Sequence, residues 1–369
     1  MSYYLLPSKI TPIEIIPDIE HEFTFEPFIS PSLNYYQNLL NDQIKMIIKD
    51  DPYGHTIDFL QTVINTYEYI FTKVPGTKFS VSKMKPYSRS FYIFLEIINI
   101  LNLFDSFQDK KISYLFDGPN SKAMSDCMDI LRENFLDVQV ELRDVINSKV
   151  IMCNIDFFYF ELEEITYNNK KHIREFLFFL SNILQFQRSG GVSIIKISSF
   201  SEKPVLDIIY LLTSLYEKVY IVKPAISDLY NSEKFVVCKN YKFSLENVQY
   251  YLHAIHSILS SNVLISTILK KPLPYYFLNK VEESNIIIGH QQLENMEQLI
   301  NLIKNKNREE KIESLKKTNI QKCVQWCEKY KIPYNKFTEK INIFLNSTIE
   351  EETVNSKENI MYDDSIVYQ

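Results

Sequence analysis

Two rhythms alternate along the chain. Four-residue apolar runs rich in Val, Ile or aromatics fall at 192–195, 219–222 and 235–238, as expected of strands buried on both faces. A stretch of helical period, 204–215, lies between the first two. Pro224, Ser227 and Asn231 punctuate the turn before the third. Strand, helix, strand, turn, strand is the closing half of a doubly wound α/β sheet that ends in a hairpin, with an antiparallel last strand. Lys196 stands where the first of these strands ends and Glu233 where the last begins.

Upstream the alternation continues. Strands are predicted at 112–116 and 138–142, and a third begins at 150–153. Helices are predicted over 31–49, 53–72, 85–103, from 121 onward, and over 171–186. Phe91, Phe94, Leu95, Ile98 and Leu101 give the 85–103 segment one apolar face. Beyond 239 the period is helical throughout, with helices at 245–259 and 292–304. Residues 1–34 are Pro-rich and aperiodic. They predict an extended arm laid on the domain or on a partner, or else a partly disordered end. The acidic, polar tail from 347 is expected to be disordered.

The totals narrow the class. With 369 residues, 46% hydrophobic and 23% charged, the chain can bury a sizeable core. A net charge of −6 excludes a global basic field for nucleic acid and leaves only a local basic face. Five scattered cysteines point to a reducing compartment rather than a disulfide framework. Cys323 and Cys327, four apart on a helical pattern, read as a packed face. His253 and His256 have no carboxylate at matching spacing, so no metal site is expected. No uncharged apolar run reaches about 20 residues, so no membrane span is expected either.

Gly190, Gly191, Lys196, Lys223, Pro224, Ser227, Ser232 and Glu233 resemble the closing half of the FtsJ-type (RrmJ-type) RNA ribose methyltransferases. That family reads Gly-Gly-x-x-x-x-Lys, then Lys-Pro-x-x-Ser-x-x-x-x-Ser-Glu. Ser88, Arg89, Phe91, Tyr92, Glu96 and Ile97 are similar to its Ser-Arg helix. NTYEYIF at 65–71 and the Trp326-Cys327 stretch resemble its large-DNA-virus branch. The resemblance runs from about 53 to 334 and implies a Rossmann-like methyltransferase domain at 53–245. An N-terminal arm and helix (1–52) would precede it, and a helical region packed on the core (246–346) would follow.

The resemblance implies a Lys-Asp-Lys-Glu centre that uses S-adenosylmethionine. Its central lysine, with a pKa lowered by neighbours, acts on the ribose hydroxyl. Lys196 corresponds to that lysine and Glu233 to the glutamate. Ile93 falls on the first lysine and can neither carry charge nor donate a hydrogen bond. Asn154, Ile155 and Asp156 compete for the aspartate, and Asp156 reaches it only by a slip of one or two residues. The cofactor loop, acidic-Gly-Pro-Gly-Gly in the viral branch, reads Asp117, Gly118, Pro119, Asn120, Ser121. Two glycines that let backbone approach a ligand are replaced. Glu141 and Asp144 are candidates for ribose hydroxyls. Phe157 and Phe158 replace small residues and are expected to fill the pocket.

These losses predict a catalytically degenerate FtsJ-like protein of a large DNA virus, in the host cytoplasm or the virion. It would bind no cofactor and serve a protein partner in capping, transcription or virion assembly. Lys196 and Glu233 would then form a plain ion pair. One alternative is an active S-adenosylmethionine-dependent cap ribose 2′-O-methyltransferase working through Lys196, Asp156 and Glu233. Another is a non-catalytic RNA-binding module with Lys83, Lys85 and Arg89 on phosphates.

Overall fold

The computed structural model describes residues 2–9, 13–20, 27–50, 55–142, 155–162, 169–242, 245–261, 264–305 and 308–335. The aperiodic N-terminal stretch supplies two strands, β1 (Ser2–Leu5) and β2 (Ile15–Glu20). Then come α1 (Pro31–Asp50), α2 (His55–Ile64), α3 (Ser90–Leu101), β3 (Ser113–Asp117), α4 (Ser121–Leu131), β4 (Val138–Gln139) and β5 (Ile155–Glu161). α5 (Asn169–Phe186), β6 (Gln187–Ile197), α6 (Lys203–Leu215), β7 (Tyr216–Lys223) and β8 (Lys234–Tyr241) close the sheet. α7 (Leu245–Ser260), β9 (Leu264–Leu269), α8 (Tyr275–Lys304) and α9 (Arg308–Lys329) follow.

Seven strands form one sheet in the order β1-β7-β8-β6-β5-β3-β4. β4, β3, β5 and β6 are mutually parallel. β8 inserts antiparallel between β6 and β7, which makes it the antiparallel last strand of a doubly wound sheet. The chain runs outward in opposite directions from β3, toward β4 and then toward β5. The switch point of the sheet therefore lies between β3 and β5, at their carboxyl ends, where ligands of such sheets bind. β5 is buried along its whole length, as a central parallel strand must be.

Three departures from the periodicity have local causes. The predicted 53–72 helix ends at Ile64, because the Asn65 side chain donates to Glu68 Oε2 at 2.9 Å and turns the chain into a 3₁₀ turn at Glu68–Ile70. The C-terminal region is not wholly helical. Leu264–Leu269 has apolar residues at spacings that suit a helix or a strand, and pairing with β2 makes it a strand. Buried Asp207 of α6 accepts the backbone N–H of Ile268 at 2.8 Å and of Leu269 at 3.3 Å, fixing β9 to the domain. The strand expected to begin at 150–153 is observed at Ile155–Glu161; 150–154, Asp144 and the tail lie outside the described residues.

Two buried charged side chains hold the turn between β7 and β8. The ammonium of Lys223 donates to the carbonyls of Asp228, Asn231 and Glu233 at 2.9, 2.8 and 2.9 Å, using all three hydrogens. Burial lowers its pKa to about 8, which still leaves it charged at neutral pH. From the other side Glu96 of α3 accepts the N–H groups of Ala225 and Ile226, both at 3.1 Å, and the Trp326 indole at 3.4 Å. Replacing Lys223 with Met strands three carbonyls. The expected loss is about 3 kcal/mol of unfolding free energy, read from urea midpoints at constant slope. An unchanged midpoint would show that the turn stands without its cation.

Candidate active site

Strand pairing sets the site. β5 and β6 place Glu161 beside Lys196, and β6 and β8 place Lys196 opposite Phe235, two residues from Glu233. Lys196 Nζ lies 3.3 Å from Glu161 Oε2 and 3.3 Å from Glu233 Oε2. The three groups meet at the carboxyl ends of the parallel strands. Burial pulls the Lys196 pKa down, but the carboxylates of Glu233 and Glu161 outweigh it, and the net direction is upward. The lowered lysine that the resemblance implies is not what this geometry produces.

Glu161 also reaches the loop after β3. Its Oε1 accepts the Asn120 backbone N–H at 2.8 Å, and its Oε2 accepts the Asn120 side-chain amide at 2.9 Å. Gly118 makes this contact feasible. Its φ of +133° suits only glycine, and a Cβ there would stand 2.7 Å from Glu161 Cγ. Asp117 ends β3 beside it; burial raises its carboxyl pKa, and the like charge of Glu161 adds to the rise. Asn120 precedes the first turn of α4, where Ser121 begins the helix, and the Ser88 hydroxyl lies 3.4 Å from Asn120 Oδ1.

The structure does not bring Asp156 to this cluster. Asp156 sits at the amino end of β5, where it accepts the Ser113 N–H at 2.9 Å and pairs with Arg188 at 3.0 Å. Four residues of strand lie between it and Glu161. A strand starting at 150 would end near 154–156, whereas the observed start at Ile155 moves the terminal acid to Glu161. The signal was present in FFYFE, the aromatic run 157–160 closing on the Glu161 carboxylate. Phe157 and Phe158 do not fill a pocket. They point to opposite faces of β5; Phe157 packs against Phe94 and Phe116, and Phe158 stacks on Phe160. Ile93 is buried on α3. Arg89 is paired with Glu68, while Lys83 and Lys85 are exposed. Glu141, His253 and His256 are exposed, and Cys323 and Cys327 are buried free thiols on α9. Among the described residues no helix is long and apolar enough to cross a membrane.

Comparison with known proteins points the same way. Residues 89–241 match the family model described as FtsJ-like methyltransferase. The chain is 30% identical over 147 residues to cap-specific mRNA (nucleoside-2′-O-)-methyltransferase 2 of Pongo abelii, covering 37% of this chain and 18% of that protein. It is 30% identical over 106 residues to cap-specific mRNA (nucleoside-2′-O-)-methyltransferase 1 of Dictyostelium discoideum, covering 28% and 14%. It is 30% identical over 113 residues to the Drosophila melanogaster methyltransferase 2, covering 30% and 16%. The matches thus span less than a fifth of the length of these relatives.

The raised pKa of Lys196 has a definite sign. Its ion pairs stabilise the fold fully below the free value of 10.5 and fade as pH rises through the higher folded value. Lys196→Met is expected to cost about 2 kcal/mol at pH 8, with the gap to the unmodified protein narrowing above pH 10.5. Asp156→Asn should lower stability by about 1–2 kcal/mol with no such alkaline narrowing, since its partner is Arg188. Urea titrations across pH 7–11.5 check both; a Lys196→Met gap that stays constant with pH would contradict the assignment.

Proposed function

We propose, taking residues 89–241 as an FtsJ-like methyltransferase domain, that the chain is an S-adenosylmethionine-dependent RNA ribose 2′-O-methyltransferase working through Lys196, Glu161 and Glu233. The observation that carries this reading is the position of Lys196, held between two carboxylates at the carboxyl ends of β5 and β6 and the amino end of β8. The carboxylate expected from an aspartate is supplied by Glu161, so that element of the centre is present.

The residues at the switch point fit S-adenosylmethionine. Asp117 and Glu161 make its rim acidic, which suits a sulfonium and an ammonium, and Gly118 holds the left-handed turn. Bound there, the cofactor supplies a methyl group on cationic sulfur. An RNA strand has a local surface to follow despite the negative net charge. Lys83 and Lys85 are exposed, and the exposed Tyr87 ring carries Lys122 at 4.8 Å over its face, an arrangement on which a base can stack.

The chemistry follows from protonation. Lys196 is an ammonium at neutral pH. Two of its hydrogens face Glu161 and Glu233, and the third is left for the ribose 2′-oxygen. That contact orients the oxygen for in-line attack and lowers the cost of negative charge on it. One of the flanking carboxylates would take the hydroxyl proton as the ribose oxygen accepts the methyl group that the cofactor would supply. A neutral lysine is not required, and neither is a second lysine at position 93.

One observation favours a non-catalytic alternative: both oxygens of Glu161 are engaged by Asn120, directly over Gly118. Transfer of labelled methyl from S-adenosylmethionine to capped RNA separates the two readings. Transfer is expected, with Lys196→Ala reducing it about 100-fold or more and Glu161→Gln about 10- to 100-fold. No thermal shift with millimolar S-adenosylmethionine and no transfer would decide for the non-catalytic protein.

A further inference from the structure

A cavity of about 330 Å³ lies between α1, α8 and the segments that leave β6 and enter β8. Only half of its wall comes from the segment matched to the family. Its lining contains no Asp or Glu, and its one charged side chain is Lys234. Lys234 is 8% exposed and its ammonium makes no hydrogen bond or ion pair with any described residue; the Phe200 ring lies 5.2 Å from Nζ. An isolated buried cation is costly unless something compensates it. Burial, with the like charge of Lys223, lowers its pKa to about 7, and no described residue supplies a counter-charge.

The other wall groups are neutral hydrogen-bonding side chains. Asn38 and Asn41 of α1 present amides and Ser232 a hydroxyl, while the Asn34 amide donates to Ser201 Oγ at 3.1 Å and Ser199 Oγ lies 2.9 Å from the same hydroxyl. Ser198 Oγ and Asn285 Oδ1 also line the cavity, and both are buried with no partner among the described residues. Turning the Asn285 amide over, a choice set by the hydrogen-bond network, points a donor where Oδ1 stands. Such a set, one cation among amides and hydroxyls with no acid, is the complement of an oxyanion.

Packing holds the walls in place. α1 crosses α8 at Gly289, where a Cβ would come within 2.5 Å of the Leu33 side chain. Gln37 donates to Gln292 at 3.0 Å, and Gln292 donates to the Tyr230 carbonyl at 2.9 Å, tying α1 and α8 to the turn before β8. Ser232 and Lys234 flank Glu233, and Ser198 lies two residues beyond Lys196. Strand alternation puts Lys234 with Ile197 on the face opposite Lys196. The cavity is therefore next to the carboxylate–lysine cluster but separate from it.

We propose that this cavity binds a phosphoryl group, with Lys234 as the charge and the surrounding amides and hydroxyls as hydrogen-bond donors. The volume exceeds that of a lone phosphate and reaches the lower range of small-molecule sites, roughly 300 Å³, so a nucleoside monophosphate fits the class. The inference stands whether or not methyl transfer occurs.

Calorimetric titration of the full chain with inorganic phosphate, GMP and guanosine at pH 7 and low salt tests it. GMP is expected to bind at least about tenfold more tightly than guanosine, and more weakly as salt rises. GMP tighter than phosphate assigns the site to a nucleotide, and equal affinities assign it to the free anion. Lys234→Met should bring GMP down to the guanosine level while raising the melting temperature. Asn34→Asp, which sets a carboxylate in the cavity, should abolish anion binding in a folded protein. Anion binding that survives Lys234→Met, or guanosine binding as well as GMP, overturns the proposal.

Discussion

A single ammonium gathering three carbonyls underlies the Lys196 end of this molecule. Lys223 closes β7 and seizes the carbonyls of Asp228, Asn231 and Glu233. That fixes where the turn ends and hence where β8 begins. Because β8 runs antiparallel between β6 and β7, its first residues arrive at the carboxyl end of β6. Glu233 is thereby brought to Lys196. Glu96 completes the clamp from α3 and couples it to α9 through Trp326. A buried cation and a buried anion, each satisfied by backbone, fix a loop that packing alone would leave free.

The cluster itself joins two features that look unrelated in the sequence. Asn120 in place of a glycine reads as erosion of a cofactor loop. In the structure it gives two donors to Glu161, and Glu161 is one methylene longer than an aspartate would be. The longer carboxylate spans from Lys196 to the loop, and Gly118 keeps the space for it. Asn120 and Glu161 are thus a matched pair, and the apparent loss at one position is accounted for by the change at the other.

Much of this was legible in residue patterns. The apolar runs at 192–195, 219–222 and 235–238 all lie within observed strands, and the Lys196–Glu233 pairing followed from where those runs begin and end. Glu161 was not found, because two apolar runs, 150–153 and 157–160, sit close together and periodicity cannot choose between neighbouring starts. An error of a few residues along a strand moves a terminal carboxylate to the wrong end of the sheet, which is what befell Asp156. β1, β2 and β9 were hidden for another reason. Their strand character comes from partners more than two hundred residues away, and no local window contains those partners.

The margins of the seven-stranded sheet are short. β1, four residues long, caps β7 on one side, and β4 contributes two residues on the other. Stubs of this size offer few unpaired peptide groups for another chain to zip onto. Association through this sheet by adding a foreign strand is thereby discouraged. A macromolecule that meets this sheet is then read by loops and helix faces, where side-chain identity, rather than generic backbone, decides who binds.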